Sequence, residues 1–172
     1  MLNALRWGRA RKQRAAQLCV AVSARAREPV FFRDFAVPDT IDGRFDLVAL
    51  HAWLVLERLQ AQGERELAQA FIDAQFERFD EGLRELGAGD MGMSRRMTKM
   101  SGAFYGRLEA YGAATDAAAL ADALVRNLYR GEAAAVEPAR ALAKYALVAR
   151  ARLAGIAVDK TDPDFGSLPV RA

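Results

Sequence analysis

The chain has 172 residues, enough for one domain with a sizeable core and too few for two ordinary ones. At 52% hydrophobic and 27% charged residues, the composition excludes wholesale disorder. Its 36 alanines and 19 leucines, against 14 valines and isoleucines together, favour helix over strand, so the expected class is all-α. A lone Cys19 excludes an internal disulfide, and a lone His51 excludes His-rich zinc sites, paired Glu-x-x-His di-iron sites and a Cys/His finger. Apolar runs fall short of the ~20 residues a membrane span needs. Leu18 to Val22 is too short for a signal-peptide core, so the expected location is cytoplasmic or peripheral at the inner membrane.

The net charge of +3 is unevenly spread. Residues 1–27 carry seven basic side chains and no acidic one, which leaves the remainder at −4. A helix is expected over about 3–26, stopping before Glu28-Pro29, with Leu2, Leu5, Trp7, Leu18, Cys19 and Val22 as apolar anchors. Such a basic segment attracts anionic lipid headgroups or RNA phosphates. Arg6, Trp7, Arg9, Arg11, Lys12 and Arg14 are therefore the candidate membrane or ribosome contacts. The competing reading is a solvated helix whose charges only confer solubility.

Residues 28–45 hold two prolines, one glycine and four phenylalanines, which reads as an irregular connector pinned to the core by Phe31, Phe32, Phe35 and Phe45. Asp46 is read as the cap of a second helix, about 47–61, apolar almost all round and so central. His51 lies in that run with Leu47, Leu50 and Leu54 and is read as a core histidine rather than a base.

The third helix, about 64–86, sets Leu67, Phe71, Ile72, Phe76, Phe79, Leu83 and Leu86 on an inward stripe. Its acidic residues Asp73, Glu77, Asp80, Glu81 and Glu85 share another face, read as solvated or complementary to Arg95, Arg96 and Lys99 rather than as metal ligands. Gly87-Ala88-Gly89-Asp90-Met91-Gly92 follows a helix and lacks the lysine of a phosphate loop, so a tight helix–helix connector is expected. Ser94 is read as the cap of a fourth helix, about 95–112, with Met97, Met100, Phe104, Leu108 and Tyr111 inward. Further helices are expected over about 116–130 and 137–154, with Pro138 in the first turn of the last. The tail from Val158 reads as extended or disordered.

Arg107 falls on an inward face and needs an acidic partner, for which Asp80 or Asp90 is the expected choice, pairing the third and fourth helices. A site for a partner's carboxylate is the functional alternative. Met91 and Met93 sit in the expected connector, where burial is not expected. Beside Arg95, Arg96 and Lys99 they suit adaptable binding of an apolar, acid-flanked segment.

Two blocks of residues resemble a known family. Val37-Pro38-Asp39-Thr40, Gly43-Arg44-Phe45-Asp46, Leu50-His51 and Arg58-Leu59 resemble the opening of the ubiquinol–cytochrome c chaperone family. Ala70-Phe71, Phe76, Leu83-Arg84-Glu85, Gly87-Ala88-Gly89-Asp90, Met100, Ala103-Phe104-Tyr105-Gly106-Arg107 and Tyr111 are similar to its later part. The likeness covers about residues 28–130 and looks like that of a short bacterial member. Arg78-Phe79-Asp80 departs from the acidic Asp-x-Asp expected ahead of Leu-Arg-Glu.

The resemblance implies an all-helical, non-enzymatic factor for assembly of the cytochrome bc respiratory complex. Its implied client is newly made cytochrome b, a membrane protein, with a small partner protein alongside. The implied layout is a basic N-terminal helix (1–27), a chaperone-like helical domain (28–155) and a tail (156–172). Arg84, Asp90, Met91, Met93, Arg95, Arg96, Lys99, Tyr105 and Arg107 form the candidate partner-binding set. Catalytic residues, metals, cofactors and a DNA partner are not expected. An RNA- or ribosome-binding module using the basic helix is the alternative function.

Overall fold

A computed structural model describes the backbone of residues 2–85 and 90–167 and the side chains of residues 7–85 and 92–167. Helix α1 (Leu2–Ala26) is followed by the short α2 (Pro29–Arg33), α3 (Ile41–Ala61), α4 (Arg65–Glu85), α5 (Asp90–Gly112), α6 (Ala117–Asn127) and, after a 3-10 turn at Ala133–Ala135, α7 (Val136–Leu153). Strands are absent among the described residues, and six long helices form one domain around one continuous core.

The centre is α3, which touches α1, α4, α5 and α7. Leucine, valine and alanine cover almost its whole surface, and every residue from Asp46 to Leu56 is buried, as expected for a helix with no polar face. Its start lies six residues before the expected one. Thr40, not Asp46, is the N-cap, accepting a hydrogen bond from the Gly43 amide at 3.1 Å. The entry is tight: a Cβ on Gly43 would lie 1.9 Å from the Pro38 carbonyl oxygen, so only glycine fits. Asp46 therefore stands one turn inside the helix, in the core.

Two neighbouring expectations also need correction. The connector 28–45 is not wholly irregular, since Pro29 at the first helical position starts α2, whose Val30 and Phe31 are buried. Helix α5 begins at Asp90 rather than near Ser94, which puts Met93 on the helix and buries it with Phe104 and Tyr111 at helical spacing. The expected cap at Gly87 and the core position Leu86 lie outside the described residues.

The segment 156–167 is irregular but packed. Val158 and Phe165 are buried. Arg14 on α1 donates to the carbonyls of Val158 (3.0 Å) and Thr161 (2.6 Å) and pairs with Asp162. Arg25 donates to the Gly166 carbonyl at 2.9 Å, and Arg58 to that of Ile156 at 2.7 Å. Apolar anchors and arginine donors thus hold a stretch that composition alone reads as loose.

Candidate functional site

Helix α5 carries most of the candidate partner-binding residues. Its inner side packs Phe104 and Tyr111 into the core, where Phe104 meets the rings of Phe45, Phe76 and Phe79. Its outer side presents Ser94, Arg95, Thr98, Gly102, Tyr105, Gly106 and Glu109. A Cβ on Gly102 or Gly106 would meet no atom within 4 Å, so neither glycine is required by packing inside this chain. Together they leave a smooth ridge along α5.

A hollow flanks the ridge on each side. One, of about 390 Å³, has an apolar floor of Phe45, Leu83 and Met100 and a basic rim of Arg96, Lys99, Arg107 and Arg130, with Asp42 opposite. The other, of about 770 Å³, lies against α3 and α4; Trp53, Ile72 and Leu108 line it beside Glu57, Arg65 and Tyr105. Tyr105 is 47% exposed there and leans on the Phe76 ring, with centroids 6.1 Å apart. Arg150, paired with Glu57, lies over Trp53 with its guanidinium carbon 5.8 Å from the ring centroid.

The basic hollow is built on one ion-pair cluster. Arg107 pairs with Asp46, donates to the Ala103 carbonyl at 2.9 Å, and rests 5.2 Å from the centroid of Phe45. Arg130, held in the left-handed region at φ 56°, brings its Nη1 within 2.8 Å of the other Asp46 oxygen. The expected partner of Arg107 is thus corrected: Asp80 pairs with Arg84 along α4 at 2.7 Å, and the Asp90 side chain lies outside the described residues. The reason is register, because Asp46 one turn inside α3 faces α5 directly. Burial pushes the Asp46 carboxyl above the ordinary carboxylate range, against the pull of Arg107 and Arg130.

The structure divides the rest of the expected set. Arg96, Lys99 and Arg107 share the basic hollow, while Tyr105 belongs to the larger one. Arg84 and Arg95 are exposed outside both hollows, and Met93 is buried. The side chains of Asp90, Met91 and Arg6 lie outside the described residues. On α1, Trp7 is 71% exposed and Arg9 and Lys12 face solvent, but Arg11 pairs with Glu66 and Arg14 is spent holding residues 158–162.

His51 is the core residue its setting implied. The Leu47 carbonyl accepts from Nδ1 at 2.8 Å, Nε2 accepts from the Tyr145 hydroxyl at 2.8 Å, and Arg25 donates to the same hydroxyl at 2.8 Å. Burial lowers its pKa to about 4, so it stays neutral. Cys19 is equally inert: its thiol is buried against the Phe71 carbonyl and pushed up to about 12. Sequence reasoning missed Asp46 and Arg130. The available signal was an acid at helical spacing from Leu50 and Trp53, on a stripe where a carboxylate needs a cation.

The fold and these hollows define an all-α, single-domain scaffold in which buried Asp46 and His51 tie helices together. A family model described as "Ubiquinol-cytochrome C chaperone" matches residues 33–161, and the chain belongs to that family. The crystal structure of the Cbp3 homolog from Brucella abortus is similar at 35% identity and a TM-score of 0.81, covering 96% of this chain and 98% of that one. Ubiquinol-cytochrome c reductase complex assembly factor 1 of Drosophila melanogaster is 32% identical over 108 residues, 58% of this chain and 42% of its own length. The Xenopus laevis protein of the same description is 28% identical over 102 residues, 57% of this chain and 51% of its own length. The chain thus spans about half the length of these two relatives. Among the described residues, no helix is long and apolar enough to cross a membrane.

Proposed function

We propose that this protein is a non-enzymatic assembly chaperone that holds newly made cytochrome b during biogenesis of the cytochrome bc complex. Family membership supports the assembly role. The observation that carries the docking mode is the smooth Gly102–Gly106 ridge between two hollows, one apolar with a basic rim and one aromatic. Small residues on a helix let another helix approach closely. An apolar client segment lies across the ridge, with anchors in the hollows and an acidic flank against Arg96 and Lys99. Exposed Trp7, Arg9 and Lys12 keep the protein at an anionic membrane surface, where such a client is inserted. A small partner protein is compatible with the remaining surface. The RNA- or ribosome-binding alternative gains no support, since Arg11 and Arg14 are engaged within the fold.

The test is site-specific photo-crosslinking in respiring cells from Lys99, Gly102 and Tyr105, with Lys144 on α7 as control. Cytochrome b adducts from the three α5 positions and none from the control are expected. Equal adducts from all four positions, or none from α5, would overturn the docking mode. Normal levels of assembled bc complex in a deletion strain would overturn the client assignment.

A further inference from the structure

A polar crevice of about 200 Å³ lies at one end of the bundle, lined by α1, α3 and α4 and by no described residue of α5. Helices α1 and α4 run parallel: Arg11 pairs with Glu66, Cys19 meets Phe71, and Ser23 shares the crevice with Gln75. Their C-terminal ends therefore lie together, and both macrodipoles turn their negative poles toward this place.

At its base is an amide carbonyl without an internal partner among the described residues. Gln75 is 1% exposed, and its Oε1 accepts no hydrogen bond from them. A buried carbonyl of this kind calls for a donor. Glu81 and Glu85 stand at the rim as two further acceptors, while Arg27 and Arg78, both exposed, complete it. The formal charges of the rim cancel, so the helix ends and the buried carbonyl tip the balance toward a cationic donor. Gly82 also lines the crevice, and a Cβ there would meet nothing within 4 Å, so space rather than packing surrounds it.

We propose that this crevice receives one arginine or lysine side chain of a partner polypeptide. The cation's N–H donates to Gln75 Oε1, with Glu81 and Glu85 flanking it and Arg27 and Arg78 turned outward to solvent. The volume takes a single long side chain and no folded element. The site is separate from the α5 face and stands or falls independently of the client reading.

The experiment follows the Gln75 side-chain amide of the full chain by NMR during titration with N-acetyl-arginine methylamide, its neutral citrulline isostere and the glutamate analogue. A saturable shift with the arginine probe is expected, at least about tenfold weaker with citrulline and absent with glutamate. Gly82→Leu, which raises helix propensity and fills the crevice, should abolish the response with the helical signal intact. The paired E81Q and E85Q change should weaken it about threefold or more. Absence of a saturable shift, an equal response to citrulline, or an undiminished response in Gly82→Leu would each overturn the proposal.

Discussion

His51 shows how far one neutral side chain can set a pH response. Its folded pKa of about 4 lies below the ordinary 6.5, because burial disfavours the imidazolium. Between those values the unfolded chain binds a proton that the folded chain refuses. Stability is therefore fully present above about pH 6.5 and falls as pH drops toward 4, by up to about 3 kcal/mol. Denaturant midpoints measured across this window should show that slope, and His51→Asn should remove most of it while lowering stability overall. An unchanged slope in the variant would assign it to other groups. This residue was legible in the sequence as a core histidine, because Leu47, Leu50 and Leu54 surround it at helical spacing. Its partner Tyr145 was not legible, since 94 residues separate the two and only the packing of α3 on α7 joins them.

Elements were most legible where periodicity was strong and least where a cap was chosen. The apolar run 47–61 announced α3, but the cap is Thr40 rather than the expected Asp46, because Gly43 lets the chain turn tightly against Pro38. Misplacing that cap concealed the bolt between elements: Asp46 with Arg107 and Arg130, joining α3, α5 and the turn after α6. Arg107 was recognisable as a cation needing an acid, and its partner depended on the start of α3. Asp46→Ala leaves the Arg107 guanidinium, whose side chain is 12% exposed, without its acid. A loss of about 3 kcal/mol in unfolding free energy is expected. Adding Arg107→Met should restore much of it, because a methionine fills the same space without charge. A double variant as unstable as the single one would mean that shape, not charge, accounts for the loss. The same cluster borders the basic hollow, so Arg107 serves both that hollow and the fold. The grouping of these residues was not legible: Arg96, Lys99 and Arg107 line one hollow and Tyr105 the other, a division that depends on how α5 packs against α3 and α4.

In the molecule as a whole, α1 and the segment 156–167 are structural parts of one body. Phe165 sets its ring at right angles to His51, with centroids 5.2 Å apart, beneath the carbonyls held by Arg25. Phe165→Ala should cost about 3 kcal/mol by emptying that place, read as a lowered denaturant midpoint. It should also make residues 156–167 more readily cut by a protease; unchanged stability and cleavage would show this stretch to be merely laid on the surface. Composition gave no sign of the arrangement, because its holding groups are arginines 98 to 147 residues away, and no local pattern reports so distant a contact. That separation bears on how the protein is made. During translation the stripe of Leu18 and Val22 leaves the ribosome well before α3, α4 and the residues gripped by Arg14 exist to shelter it, so the native shape closes late and all at once. The chain therefore passes through an exposed interval of its own before its core closes.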